Sequence, residues 1–213
     1  MALSTYGELQ DEVASWLQRS DLATRVPTFI EMATSKFNRE LRVPEMESRD
    51  TSTANAEFLA LPDDFLEMRY VTGNGAALRY MNPNAFAAVI DSDGLALSTI
   101  YTLTDMQLRI YPAPTAAEPL SIVISYYERL TPLVNSIDTN WLLTSYPDVY
   151  LYGALVQARA FLHDDQRVAL WSQLLAEAME PLRRRKLIAT GVTVDARGDL
   201  PVTSPTFDIT TGL

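Results

Sequence analysis

The chain has no cysteine, one histidine and two lysines among its 213 residues, and each scarcity closes off a class of function. Without cysteine there is no disulfide framework, and the soft metal sites assembled from cysteine and histidine side chains are excluded. The one histidine, His163, has no cysteine and no Gly-x-Ser-x-Gly serine to activate. No Gly-x-Gly-x-x-Gly occurs, and Gly73-Asn74-Gly75 lacks the Gly-Lys-Ser/Thr ending of a phosphate loop, so nucleotide binding has no support. No segment approaches the roughly 20 apolar residues of a membrane span. Met1 to Val13 carries Glu8, Asp11 and Glu12 but no cation, so neither secretion nor membrane insertion is expected, and the composition suits a reducing cytoplasm.

Basic charge is scarce as well. A formal net charge of -10 and a sequence pI near 4.5 argue against a general affinity for nucleic acid, because phosphate binding needs clustered cations that displace counterions. DNA could pass close to such a chain without sticking. Lys36 and Lys186 apart, the basic residues are arginines, whose planar, weakly hydrated fork suits ion pairs at contact surfaces. A hydrophobic content of 47% supplies a substantial core.

Thr5-Tyr6-Gly7-Glu8 reads as a capping box, and Leu9, Val13, Trp16 and Leu17 then recur at helical spacing to about Arg19. Pro27 suits the first turn of a second helix, with Val26, Ile30, Ala33, Phe37 and Leu41 on one stripe until Pro44. The two predict a hairpin. From Met46 to Leu130 short alternating runs replace this period: Phe58 to Leu61, Glu67 to Thr72, Ala77 to Met81, Ile100 to Leu103, Gln107 to Tyr111 and Ser121 to Tyr127. Gly73-Asn74-Gly75 and Thr104-Asp105 are hairpin-turn candidates, and Asn82-Pro83-Asn84 predicts a short helix to about Ile90.

After Asn140 the helical period returns, from Tyr146 or Pro147 to Leu162 and from Asp164 to about Ile188. In the second, Val168, Trp171, Leu175, Ala178, Met179 and Leu182 share a face. Asp164 and Asp165 suit the positive end of the helix dipole, Arg183 to Lys186 suit its negative end, and Pro181 predicts a bend or fraying. Gly191 to Leu213, with two prolines and scattered apolar residues such as Phe207 and Ile209, predicts an extended tail. Stretched at roughly 3.3 Å per residue, it would reach at most about 75 Å, onto another subunit.

The expected fold is therefore α+β: a helical bundle built from an N-terminal helix hairpin (1–45) and C-terminal helices (139–190), with an inserted small antiparallel β module (46–138) and an extended C-terminal tail (191–213). Candidates for chemistry are few. His163 beside Asp164-Asp165 could be a general base, but it equally suits a tight inter-helix turn. Asp63-Asp64 could be a carboxylate pair, although adjacent acids after Leu61-Pro62 are commoner as caps. Asp91-Ser92-Asp93-Gly94 glances toward a calcium loop, yet Leu95 and Thr102 stand where ligands are needed. Neither a catalytic residue nor a cofactor is predicted.

Surface-type chemistry is richest from Asn140 to Tyr152, where Trp141, Tyr146, Tyr150 and Tyr152 crowd Pro147; such aromatics serve cores and interfaces alike. The candidate contact residues are Trp141, Tyr146, Tyr150, Arg183, Arg184, Arg185, Phe207 and Ile209. The arginine cluster could instead serve as a dipole partner.

The order of segments resembles the tailed-phage head-to-tail adaptor proteins. The likeness is carried by Leu3 to Leu22 (LSTYGELQDEVASWLQRSDL), Arg25 to Glu47 (RVPTFIEMATSKFNRELRVPEME), Leu59 to Met68 (LALPDDFLEM), Leu108 to Pro114 (LRIYPAP) and Thr139 to Asp165 (TNWLLTSYPDVYLYGALVQARAFLHDD). It implies a virion protein, assembled in the host cytoplasm, that forms a homo-oligomeric ring, dodecameric in the family. Such a ring docks on the portal protein, extends the DNA channel and offers a face to tail nozzle, tail or fibre proteins. Two other readings stay open: a neck or tail-completion protein elsewhere in the particle, and a small hydrolase using Asp63 or His163.

Overall fold

Thr5 caps the first helix as its spacing to Glu8 predicts. Its hydroxyl accepts from the Glu8 amide at 3.4 Å, and the Glu8 carboxylate accepts from the Thr5 amide at 3.1 Å. In this computed structural model, which describes residues 3–91, 98–162 and 166–189, helix α1 (Tyr6–Leu17) follows and buries Leu9, Val13 and Leu17. It ends before Arg19 because Gln18 takes a left-handed φ of 51°, which closes the helical ladder. A 3-10 turn (Ser20–Arg25) leads into α2 (Val26–Glu40), with Pro27 in the first turn and Val26, Phe29, Ile30, Ala33 and Phe37 facing inward.

Strand β1 (Glu47–Ala54) comes next, on a stretch whose polar sequence does not predict a strand. It is an edge strand, where side chains on both faces can stay wet. Then come β2 (Phe58–Ala60), β3 (Phe65–Gly73), β4 (Ala76–Ala77), β5 (Arg79–Tyr80), helix α3 (Pro83–Asp91), β6 (Ile100–Thr104), β7 (Gln107–Tyr111) and β8 (Leu120–Glu128). They form two four-stranded sheets, ordered β1-β8-β3-β4 and β2-β7-β6-β5. Both expected hairpin turns are present. Asn74 (φ 49°) and Gly75 (φ 83°) link β3 to β4, and Asp105 (φ 48°) and Met106 (φ 58°) link β6 to β7. The sheets share a core that includes Phe65, Val71, Leu108, Ile110, Ile122 and Ile124.

The last helices are α4 (Trp141–Ser145), α5 (Pro147–Gln157) and α6 (Arg167–Ala189). A 3-10 turn, Ala158–Phe161, replaces the final α-helical turn expected up to Leu162. Helix α5 is apolar all round and is covered by α1, α2 and α6. Gly153 lets α2 close on it, since a Cβ there would stand 2.5 Å from Phe37 Cζ. The buried face of α6, Trp171, Leu175, Met179 and Leu182, matches the predicted stripe, and the helix runs through Pro181 to Ala189.

The helical bundle with a small antiparallel module is overturned. Among the described residues six α-helices stand beside eight strands in two sheets, an α+β mix. The β part is neither small nor purely antiparallel, because β5 pairs parallel with β6. The helical core is also not closed by helices alone. Successive residues of β8 point to opposite faces, so Tyr126 enters the sheet core while Tyr127 enters the helical one. Arg42 and Arg69 lie over the Tyr127 ring at 6.0 and 5.4 Å, and their guanidinium groups pair with Glu67 and Glu47. The residues 92–97, 163–165 and 190–213 lie outside the described residues. With them fall the calcium-loop resemblance from Ser92 onward, His163 with Asp164-Asp165, and the tail with Phe207 and Ile209.

Candidate functional site

Asn140 organises the aromatic-rich segment. Its side-chain carbonyl accepts from the Leu143 amide at 2.9 Å and so caps α4. Its amide donates to the Thr131 carbonyl at 3.0 Å and to the Tyr150 hydroxyl at 2.9 Å. Tyr150 is fully buried and meets Phe37 edge to face at 5.4 Å. Burial pushes its pKa up, against the opposing effect of hydrogen bonds with Thr34 and Asn140. As an interface candidate it is corrected: a side chain with no exposed surface in the folded chain cannot meet a neighbour, and Tyr150 is a core residue.

Trp141 and Tyr146 are half-buried and pack on the edge of that core, each with surface to spare. The Tyr146 hydroxyl accepts from Arg185 at 3.2 Å, and Arg185 also pairs with Glu45 in the 3-10 turn Pro44–Met46. This anchors the carboxyl end of α6. Arg184 pairs with Glu180, one helical turn earlier, at 3.3 Å. The Arg183 side chain is exposed and has no ion pair or hydrogen bond among the described residues. Among the described residues the three arginines thus divide into one anchor, one with a local partner and one without a partner.

A cleft lies elsewhere, between the outer face of α2, the turn at Asp63 and Asp64, and the segment from Glu128 to Val134. Its volume is about 1010 Å³. Pro27, Ile30, Leu130 and Leu133 line it with apolar surface, and Glu31, Asp63, Asp64 and Glu128 bring four carboxyl groups against the single cation of Arg129. The Asp64 carboxylate accepts from the Tyr126 hydroxyl at 2.9 Å, and its carbonyl accepts from the Arg129 amide at 2.8 Å, so the turn is tied to β8. None of the four carboxylates forms an ion pair among the described residues.

Sequence reasoning singled out Asp63-Asp64 but not the cleft they rim. Glu31 reads as an ordinary solvent-facing helix residue and Glu128 as the end of a strand; the pairing of β3 with β8 brings Glu128 near the turn, and the docking of α2 on the segment after β8, where Asn38 accepts from the Leu130 amide, brings Glu31. No group of three or more His, Cys, Asp or Glu placed to hold a metal occurs among the described residues, and no described helix is long and apolar enough to cross a membrane. The cleft offers charge and shape.

No curated protein sequence matches the chain. The family model of the SU10 adaptor protein matches residues 4–197, which includes both cores, the cleft and α6. The chain therefore belongs to the SU10 adaptor protein family, a family of phage head-to-tail adaptors.

Proposed function

We propose that the chain is a non-catalytic adaptor subunit that closes with its copies into a ring, dodecameric as the resemblance implies, under the portal of a phage particle. The ring continues the DNA channel and gives tail components their attachment face. Family membership over residues 4–197 is the observation that carries this reading. The physical build supports it. A closed ring needs two dissimilar patches on each subunit, one for each neighbour, and a molecule with a helical part and a sheet part presents unlike faces. A net charge of -10 lets DNA slide past without being held.

Electron microscopy of purified particles carrying a label on the chain tests the proposal. The expected result is a ring of copies at the head-to-tail junction, between portal and tail. Finding the chain as a single copy, or in a neck or tail position away from the portal, overturns it. His163→Ala tests the non-catalytic part: particles should remain infectious, and loss of infectivity with an intact ring would point to chemistry at that residue.

A further inference from the structure

The acidic cleft and Arg183, which has no partner among the described residues, belong to different elements. Helix α5 packs against α2 on one flank and α6 on another, while α2 and α6 barely touch. The cleft opens on the outer face of α2, and Arg183 projects from α6. Glu31, Asp63, Asp64 and Glu128 line the cleft against one cation, Arg129, and none of the four forms an ion pair among the described residues, while Arg183 has no anion among them. Two patches of opposite sign carried by different elements are what a head-to-tail contact between identical subunits requires.

We propose that the cleft between α2 and the segment from Glu128 to Val134 receives the carboxyl end of α6 from a second copy of this chain, with Arg183 and Arg184 placed among Glu31, Asp63 and Glu128. This rests on the ring reading and names its seam. The apolar floor of Pro27, Ile30, Leu130 and Leu133 takes the guanidinium stems, which bury readily while their charged ends reach the carboxylates. Val134, exposed at the cleft's edge, extends the contact. Nucleic acid is a poor occupant, because its phosphates would meet four carboxylates. The segment from Thr190 to Leu213 suits it little better, with three aspartates to one arginine.

The absence of cysteine makes the test clean. Particles are assembled with full-length chain carrying Glu31→Cys and Arg183→Cys together, oxidised, and run without reductant. The expected result is a ladder of multimers, since each copy joins one neighbour through each site. The single variants give no ladder, and Arg183→Glu with Arg184→Glu weakens self-association by roughly tenfold or more, as like charges are brought together. Adding Glu31→Arg and Asp63→Arg to that variant should restore it. A ring that forms normally without a disulfide between the two introduced cysteines, and that tolerates the charge reversal, overturns this seam and leaves the ring reading standing. Cross-linking of Glu31→Cys to Thr206→Cys instead would make the tail the occupant and also overturn it. A wild-type chain present in particles as an isolated subunit overturns both. Circular dichroism of the variants at Glu31, Asp63, Arg183 and Arg184 should match wild type, because these side chains are exposed.

Discussion

Around α5, packing from α1, α2 and α6 buries most of one helix, and Phe37, Tyr150, Leu9, Leu17 and Ile30 are almost wholly removed from solvent. In the β part, two short sheets share a thinner core, and Phe58, Tyr70, Tyr80 and Met106 are left about half exposed. Sheet strands must alternate their side chains, so the sheets keep outward-facing side chains at the surface even though Tyr127 of β8 turns into the helical core, whereas α5 keeps few. The helical core fixes the cleft wall at α2, and the sheets leave large side chains exposed.

The largest effect expected from that division is at Phe37. Phe37→Ala removes a ring packed against Tyr150 and Gly153 in the helical core and should cost about 3–5 kcal/mol in urea unfolding. A loss under about 2 kcal/mol would mean that the helices collapse into the gap, and that the core is softer than its burial suggests. Next comes Asn140→Ala, which removes the cap of α4 and leaves the Tyr150 hydroxyl and the Thr131 carbonyl without their partner. The expected loss is about 2 kcal/mol. Recovery of most of that stability by adding Tyr150→Phe would show that the orphaned hydroxyl, more than the lost cap, is the source.

Two glycines sharpen the comparison, one in each part. At Gly153 an added Cβ meets a Phe37 ring that is itself locked in the core, so Gly153→Ala should cost about 1–3 kcal/mol through crowding. At Gly75 there is open space around the position and the difficulty is the backbone, held at φ 83°. Gly75→Ala should therefore cost about 1 kcal/mol, from the left-handed conformation alone. Gly153→Ala should be eased by Phe37→Leu, and no neighbouring substitution should ease Gly75→Ala. Thermal unfolding of the paired variants checks both.

The elements that could be read from the sequence are those whose signal is local. Thr5 and Glu8 fix one helix start, Pro27 another, and the stripe from Trp171 to Leu182 fixes the buried face of α6. Gly73-Asn74-Gly75 announces its hairpin because few other residues adopt those backbone angles. What was illegible depends on partners distant in sequence. Glu47 to Ala54 is polar along its length and becomes a strand because β8 offers it a full ladder from Tyr127 to Leu120. Trp141 to Ser145 is too short for a period to show. Tyr150 carries the same chemistry as Tyr146, and only the approach of Phe37, Thr34 and Asn140 makes one a core residue while the other stays at the surface. The cleft was hidden for the same reason, since its carboxylates come from three separate stretches.

The smallest effect is expected at the end of α6, where the arginines differ in what holds them. Arg184 pairs across one exposed helical turn with Glu180, and such pairs contribute little, so Arg184→Ala should change the stability of the isolated chain by under about 0.5 kcal/mol. Arg183→Ala, with no partner to lose among the described residues, should change it less. Arg185 reaches both Glu45 and Tyr146, which ties the helix end to the turn before β1, and Arg185→Ala should stand above the other two in the same chemical unfolding series. If all three substitutions cost the same, the end of α6 is held by its apolar face at Leu182 alone, and the distinction between Arg185 and the other two fails.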